Sequence, residues 1–139
     1  MPLLDFLRPT NANAAFLKPY FDNLRQGKLT TTRCPKCSAS LWPPRPFCPG
    51  CLNDALEWVE VPLEGALYSW SEFHDKRFSV IFKVPYVLGA VDLAGGLGRL
   101  ITRVRAKPDQ LKVGMPLKLV VMKYKSDNKE WGLVEAEPK

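Results

Sequence analysis

The spacing of apolar residues near the start of the chain is helical. Between Asn13 and Gly27 apolar side chains recur three or four positions apart, as on one face of a helix, and Gly27 is a typical helix stop. Because a proline is tolerated best in the first turn, Pro19 predicts that the firm part of the helix runs from about Lys18 to Gln26. The apolar face of the predicted helix consists of Phe16, Leu17, Tyr20, Phe21 and Leu24.

This apolar helix face has two interpretations. Most such faces pack in the core of their own chain, and the alternative is a docking surface for a partner. In the second interpretation the candidate docking residues are Phe16, Tyr20, Phe21 and Leu24. The sequence leaves both interpretations open.

From Leu56 onward the apolar period is two, which is typical of strands with one buried face. A short helical turn is predicted at Lys107–Leu111, between the third and fourth principal strands. This placement favours an OB-fold, a five-stranded Greek-key barrel with a helix in that gap, over a sandwich or an SH3-like barrel. The predicted strands are 28–33, 56–61, 66–73, 79–82, 86–92, 99–104, 117–124 and 131–135.

All four cysteines lie between these two patterns, as the pair Cys34 and Cys37 and, ten residues later, the pair Cys48 and Cys51. A C-x-x-C turn directs two thiolates toward one centre, and two such turns supply the four sulfurs of a structural zinc site. A four-thiolate site has no open coordination position, so it supports folding and does not hydrolyse a substrate. The same four ligands bind iron in rubredoxin-type centres, so the spacing leaves iron open.

Two other uses of four cysteines fit less well. Disulfides suit secreted chains, whereas the first residues here are interrupted early by charge. A redox C-x-x-C motif needs a thioredoxin-like βαβ context, but prolines surround these pairs. Ser38 and Leu52 follow the two pairs where glycine is common, and Leu52 would be strained at positive φ. We therefore expect one structural zinc ion, with a second knuckle that turns differently from the first.

The elements predict a mostly β chain in three parts: an arm and amphipathic helix (1–27), a small rubredoxin-like zinc ribbon (28–55) and an OB-fold (56–139). A length of 139 residues with 46% hydrophobic and 24% charged residues suits one core with a small appendage. No apolar run approaches the roughly 18 residues of a membrane span. We expect a cytoplasmic setting with reduced cysteines. The net charge of +6 suits phosphate-bearing partners, whether nucleic acid or a nucleotide-containing cofactor.

Several short motifs occur in an order that resembles one two-domain family. In that family, long known as a domain of unknown function, a rubredoxin-like zinc ribbon precedes an OB-fold. The resemblance extends from about Phe16 to Val134. Its motifs are Leu24-Arg25-Gln26-Gly27, Pro43-Pro44-Arg45 before the second cysteine pair, Leu56-Glu57-Trp58, Pro85-Tyr86-Val87, Arg99-Leu100-Ile101-Thr102 and Val113-Gly114-Met115-Pro116.

The resemblance implies an accessory role in acyl-CoA chemistry. Members of this family are associated with thiolases, hydroxymethylglutaryl-CoA synthases, and thiolase-like aldolases or acyltransferases, as a small subunit or scaffold beside a catalytic partner. In some of these assemblies the ribbon and barrel hold two enzymes around a shared CoA-binding region. The chain is therefore expected to be a non-catalytic subunit of a thiolase-like or aldolase-like enzyme, with CoA or acyl-CoA as a candidate ligand.

The side chains available for catalysis agree with this expectation. If the four cysteines bind metal, no thiol nucleophile remains, and His74 is the only histidine. A stand-alone hydrolase or transferase is therefore disfavoured. His74 itself lies among charges at the end of a predicted strand, where it is either solvated or in contact with a ligand or partner.

The candidate ligand-binding residues are otherwise arginines. Period-two alternation places Arg99, Arg103 and Arg105 on one face of a strand, where guanidinium groups would pair with the phosphates of CoA. The alternative is the solvated exterior of a barrel. Arg45, in the proline-rich loop between the knuckles, would meet a phosphate, a partner carboxylate or a group of its own loop.

The competing function is an OB-fold that binds single-stranded nucleic acid. This mode needs aromatic side chains along an exposed basic groove. The acidic side chains of Glu57, Glu60, Glu64 and Glu72 lie on the same predicted strands as the aromatic ones and interrupt a basic track. The sequence therefore disfavours nucleic acid as a partner.

Overall fold

The computed structural model describes residues 14–75, 82–126 and 129–139. The predicted arm (1–12) and most of the predicted strand 79–82 lie outside these residues. In chain order the elements are α1 (Ala14–Arg25), β1 (Thr30–Arg33), β2 (Glu57–Glu60), β3 (Glu64–Phe73), β4 (Tyr86–Leu93), β5 (Arg99–Val104), β6 (Pro116–Ser126) and β7 (Lys129–Pro138), with 3-10 turns at Ala94–Gly96 and Pro108–Gln110.

Strands β3 to β7 close a barrel in the order β3-β4-β5-β7-β6. Its neighbouring strands are antiparallel except β5 and β7, which run parallel where Val104 faces Ala136. The 3-10 turn at Pro108–Gln110 lies between the third and fourth barrel strands. This order and this turn are those of an OB-fold, so the predicted fold is confirmed.

The barrel interior is filled by alternate residues of each strand. Gly89 of β4 faces inward at a point where a Cβ would lie 2.5 Å from the Cγ2 of Val104, so the interior has no room for a side chain there. Helix α1 and the start of the ribbon add to the same core. Its buried members are Phe21, Leu24, Leu29, Val61, Leu67, Val87, Val91, Leu93, Val104, Leu111, Leu117, Leu119, Val134 and Ala136.

The strand around Trp58 belongs to the ribbon. β2 pairs antiparallel with β1, with Thr30 opposite Glu60 and Arg33 opposite Glu57. The predicted OB-fold begins at residue 56, whereas this strand pairs with β1 and is not among the barrel strands. A period of two shows that a strand has two faces but does not show which sheet it joins. Here the cysteine loops bring β1 and β2 together.

Helix α1 begins at Ala14, four residues earlier than the firm part that the sequence predicts, and contains Pro19. A proline inside a helix removes one backbone hydrogen bond. Contacts made by the turn before Pro19 explain why that turn is helical: the Phe16 ring packs 5.7 Å from the Trp58 ring, and Leu17 packs against the core. Tertiary packing overrides the local penalty. No helix in the described ranges is long and apolar enough to cross a membrane.

A second apolar group, here called the outer cluster, covers part of the barrel exterior. The rings of Phe73 and Tyr86 stack within it at 5.5 Å, and the Arg103 guanidinium lies 4.7 Å from the centre of the Phe82 ring. Since the core takes Val87 and the outer cluster takes Tyr86 and Leu88, the first part of β4 is covered on both faces. The outer cluster consists of Phe82, Tyr86, Leu88 and Leu133, with Phe73, Val84 and Tyr124 packed against them.

Glu135 is fully buried beside the outer cluster. The Tyr124 hydroxyl donates to one carboxylate oxygen at 2.5 Å, and the Arg103 guanidinium donates to the other at 3.2 Å. A buried carboxylate without partners would be strongly destabilising. The two donors therefore allow an acidic residue to occupy a barrel strand that is otherwise apolar around it.

Tyr124→Phe is expected to lower the stability of the barrel and to change its dependence on pH. Burial, and next the hydrogen bond to Glu135, raise the pKa of Tyr124 to about 12 from 10.0. Because the folded state favours the neutral Tyr124 hydroxyl, this group contributes its full stabilisation below about pH 10. The stabilisation is lost as the pH rises from about 10 to 12. We expect the variant to lose about 1–3 kcal/mol of unfolding free energy at pH 7. It should also lose less stability than wild type on going to alkaline pH.

Urea titrations at neutral and alkaline pH test this expectation. Burial also raises the pKa of Tyr20 and of Tyr86, so part of the alkaline loss remains in the variant. Tyr68→Phe is the matched control, because Tyr68 is half exposed on the barrel exterior. An alkaline loss of stability equal in wild type and Tyr124→Phe would contradict the role of this hydroxyl.

Candidate metal centre and arginine face

The four cysteines converge on one point in the ribbon. Their Sγ atoms all lie within 4.8 Å of one another, and those of Cys34 and Cys51 are 3.6 Å apart. Sulfurs bound tetrahedrally to zinc at about 2.3 Å lie about 3.8 Å from each other, so these four fit around one ion. Cys34 and Cys48 are buried, whereas Cys37 and Cys51 are exposed. The arrangement provides a site for a structural metal.

The two knuckles are closed by equivalent backbone hydrogen bonds. The Cys34 N–H donates to the Ala39 carbonyl at 2.9 Å, and the Cys48 N–H donates to the Asn53 carbonyl at 2.8 Å. Ser38 and Leu52 both have positive φ, 58° and 62°. The two knuckles thus share the closing bond and the left-handed residue, and the second one also has a hydrogen bond from the Leu52 N–H to the Cys48 carbonyl at 2.7 Å. The closing hydrogen bond requires a left-handed residue at this position in each knuckle, and it imposes that conformation on Leu52 despite a cost of about 1–2 kcal/mol.

Hydrogen-bond donors surround the sulfur of Cys34. The Cys37 backbone N–H lies 3.4 Å from this sulfur and the Asn53 side-chain amide 3.7 Å from it. These donors, the Cys37 N–H first, lower the pKa of the Cys34 thiol to about 6 from 9.0. The thiolate is the form that binds a metal, so these donors favour the ligating state of Cys34, whereas the hydrogen bond with the Cys51 thiol raises the pKa of Cys37 to about 12.

Threonines of β1 hold the loop between the knuckles. The Thr31 hydroxyl donates to the Leu41 carbonyl. The Thr32 hydroxyl accepts a hydrogen bond from the Arg45 N–H at 2.9 Å and donates to the Arg45 carbonyl at 3.0 Å. Both threonines are buried, at 0% and 1% exposure. This role of the threonines was not predicted from the sequence, because a run of threonines is common in any strand. The available signal was three consecutive hydroxyl side chains just before the first knuckle.

Trp42 joins the ribbon to the barrel. Its indole N–H donates to the Arg99 carbonyl at 3.1 Å, and its ring covers Gly98, where a Cβ would lie 2.9 Å from Cδ1. On the helix, the Tyr20 ring is 6.5 Å from the Trp42 ring. The ribbon, α1 and the barrel therefore meet at this one side chain.

Of the predicted ligand arginines, Arg99 and Arg103 lie on β5 and Arg105 directly follows it, and each of the three has a carboxylate partner. Arg99 pairs with Asp92 at 2.7 Å, Arg103 with Glu135 at 3.2 Å and Arg105 with Glu137 at 3.8 Å. The Arg99 guanidinium also lies 3.4 Å above the centre of the Tyr68 ring. A phosphate group would have to compete with a carboxylate at each arginine.

The five predicted ligand residues do not form one site. Arg103 and Arg105 line a cleft of about 480 Å³ together with Lys107, and Arg99 lines a different cleft of about 690 Å³. Arg45 is exposed in the ribbon. His74 follows β3, is 70% exposed, and has its Nε2 2.6 Å from a carboxylate oxygen of Glu72. The alternation that placed the β5 arginines on one face is correct, but it does not place them in one pocket.

The docking interpretation of the helix face is wrong for two of its residues. Phe21 and Leu24 are 9% and 2% exposed and belong to the core. Leu24 packs on Gly132 of β7, where a Cβ would lie 2.9 Å from the Leu24 Cβ. Phe16 and Tyr20 are half-buried against Trp58 and Trp42. This part of the helix face is buried because Gly132 of β7 has no side chain and allows Leu24 to approach closely.

The aromatic side chains that nucleic-acid binding would use are packed against one another. Phe73, Phe82, Tyr86 and Tyr124 all belong to the outer cluster. Among the aromatic residues whose exposure is described on the barrel, Tyr68 is half exposed, and the Arg99 guanidinium covers its ring. The described part of the barrel therefore lacks a row of open rings on which bases would stack.

A four-cysteine ribbon followed by an OB-fold barrel defines a class of two-domain proteins. The chain matches the family models described as ChsH2, rubredoxin-like zinc ribbon domain, over residues 21–57, and ChsH2, C-terminal OB-fold domain, over residues 58–122. It is also similar to a chain of a solved structure, the Ltp2-ChsH2(DUF35) aldolase, with 31% identity and a TM-score of 0.76, covering 94% of this chain and 98% of that one. The chain belongs to the ChsH2 (DUF35) family.

Two relatives are named for CoA enzymes. The probable enoyl-CoA hydratase alpha subunit of Thermomonospora curvata is 33% identical over 116 residues, which are 81% of this chain and 35% of that protein. The benzoylsuccinyl-CoA thiolase subunit BbsA of Thauera aromatica is 27% identical over 113 residues, which are 81% of this chain and 68% of that protein. The chain thus spans about a third of the length of the Thermomonospora relative.

Proposed function

We propose that this protein is a non-catalytic accessory subunit of a thiolase-superfamily enzyme that acts on acyl-CoA, whether a thiolase, an acyltransferase or an aldolase. The observation that carries the proposal is the similarity of this chain to a chain of an aldolase structure, at 31% identity and with the same fold, and to a thiolase subunit, at 27% identity. The Thermomonospora relative is likewise named as a subunit of an enzyme that acts on a CoA ester.

The metal in this proposal is one zinc ion held by Cys34, Cys37, Cys48 and Cys51. The sulfur separations within 4.8 Å suit its tetrahedral geometry. Zinc in a four-thiolate site supplies folding energy and offers no position for a reacting group. Iron would occupy the same ligands, and metal analysis of the purified protein distinguishes the two.

The mechanism is indirect and depends on a fixed relation between ribbon and barrel. A scaffold transmits position only if its parts do not move independently, and Trp42 and α1 connect the two parts here. Docked on a catalytic subunit, the barrel would order the entrance of the active site or the CoA tail. Arg103, Arg105 and Lys107 in their shared cleft are the candidates for phosphate contacts.

Affinity purification of the tagged protein from its native cells tests this function. We expect a stoichiometric thiolase-superfamily subunit to co-purify, with or without nuclease treatment. The isolated chain should not turn over acyl-CoA, and adding it to the purified catalytic subunit should raise that subunit's activity. Turnover of acyl-CoA by this chain in isolation, or nuclease-sensitive recovery of many unrelated proteins, would contradict the proposal.

A further inference from the structure

The ribbon segment that carries the knuckles has an unusual charge composition. From Cys37 to Asn53 the only charged residue is Arg45, in a chain of which 24% is charged. Phe47 and Leu52 in this segment are 44% and 73% exposed. Few charges, an exposed aromatic ring and an arginine are the composition of the centre of a protein–protein interface. Arg45, Phe47 and Leu52 are here called the knuckle surface.

The conformation of Leu52 is a second observation. At φ 62° a leucine is strained, and glycine would occupy this position without strain. The side chain gains little from burial within this chain, since most of it is exposed. Strained residues of this kind are found at positions where the side chain serves a function other than stability.

The state of Arg45 is a third observation. Its backbone is fixed by the buried Thr32 hydroxyl, which accepts from the Arg45 N–H and donates to the Arg45 carbonyl. Within the described ranges Arg45 has no carboxylate in ion-pair distance. The other arginines of these ranges each have one, namely Arg25, Arg33, Arg99, Arg103 and Arg105. The Arg45 backbone is thus held in place, while its guanidinium group is available to another molecule.

Arg45, Phe47 and Leu52 are close together in the chain, beside and within the second knuckle. The hydrogen bond from the Cys48 N–H to the Asn53 carbonyl closes this knuckle; Phe47 directly precedes Cys48, and Leu52 directly precedes Asn53. Arg45 lies two residues before Phe47. This knuckle also carries two of the four metal-site cysteines, which fixes its shape.

We infer that the knuckle surface docks this chain onto its catalytic partner subunit, with Phe47 and Leu52 entering an apolar recess and Arg45 pairing with a carboxylate at its rim. The inference rests on the proposed function for the existence of that partner. The absence of charge around Arg45 selects an apolar protein surface with one acidic group. A second copy of this chain fits less well, because the knuckle surface has no carboxylate to receive Arg45 across a two-fold axis.

Leu52→Gly separates binding from folding. The substitution relieves the strained φ, so the metal content should be unchanged and the melting temperature unchanged or higher. The dissociation constant for the purified catalytic subunit should rise at least about tenfold, because an exposed anchor is removed. Ser38→Gly is the matched control: Ser38 has the same conformation in the first knuckle, at φ 58°, and its substitution should change the affinity less than about twofold.

Cross-linking identifies the occupant. A photoreactive benzoylphenylalanine at position 47 of the full chain should cross-link to the catalytic subunit in the native cell, and the same group at position 113, where Val113 is 70% exposed, should not. Cross-linking of position 47 to a second copy of this chain would overturn the inference. Equal affinity of wild type and Leu52→Gly for a thiolase-superfamily subunit would overturn it while leaving the proposed function intact. Recovery of no such subunit would overturn both.

Discussion

Cys48→Ser is expected to remove the metal and the fold of the ribbon together. Cys48 is 1% exposed and is one of four sulfurs that lie within 4.8 Å of one another. Structural zinc contributes about 10–16 kcal/mol in small zinc domains, which is comparable to the whole stability of a domain. Most buried residues of the shared core lie on the barrel strands, so we expect the barrel to remain folded while residues of the ribbon lose their structure. Metal analysis and an NMR spectrum of the variant measure the two effects.

Lys36→Ser is the control for this experiment. Lys36 is exposed within the first C-x-x-C turn, so its substitution changes a knuckle of the same metal site without removing a ligand. It should retain one metal ion per chain and the spectrum of the wild type. A Cys48→Ser variant that kept its metal and an unchanged ribbon spectrum would show that the four cysteines do not form the structural site.

Gly98→Ala is expected to loosen the joint between ribbon and barrel. Gly98 has φ +155°, and a Cβ there would lie 2.9 Å and 3.0 Å from two atoms of Trp42. Strain at such a φ costs about 1–3 kcal/mol, and crowding in a packed contact costs a similar amount. We therefore expect a loss of about 2–5 kcal/mol in the free energy of unfolding. Urea titration monitored by tryptophan fluorescence measures this loss.

Gly96→Ala separates strain from crowding. Gly96 also has a positive φ, +70°, but a Cβ there would meet nothing within 4 Å. It should cost only the strain of its own φ, so we expect a smaller loss of stability than in Gly98→Ala, which adds the crowding against Trp42 and a φ that L residues adopt less readily. If the two substitutions destabilised the protein equally, the Trp42 contact would not be what holds the joint.

Features that depend on residues close in sequence could be predicted. The two C-x-x-C spacings predict the convergence of the cysteines, because each turn fixes its own pair of sulfurs. The two-residue period with a helical turn at Lys107–Leu111 predicts the OB-fold, because a barrel with this strand order places its helix in that gap. These signals are local and survive folding unchanged.

Features that depend on what comes to lie opposite a residue could not be predicted. The apolar period of α1 does not show that Gly132, more than a hundred positions later in the chain, covers Leu24. The alternation in β5 gives the arginines a common face but not the carboxylate that meets each one, such as the buried Glu135 beside Arg103. Leu52 is a third case, because propensity disfavours the conformation that the knuckle imposes on it.

The covering of β4 on both faces has a consequence for the order in which the molecule opens. Amide hydrogens exchange slowly where apolar layers exclude water from both sides of a strand, and β4 lies between the core and the outer cluster. The ribbon, by contrast, depends on a metal that a competing chelator can withdraw. The barrel strand β4 should therefore open slowly, whereas the ribbon should unfold and refold as the metal is removed and returned. We therefore expect a chelator to unfold the ribbon while the amides in the first part of β4 still exchange slowly.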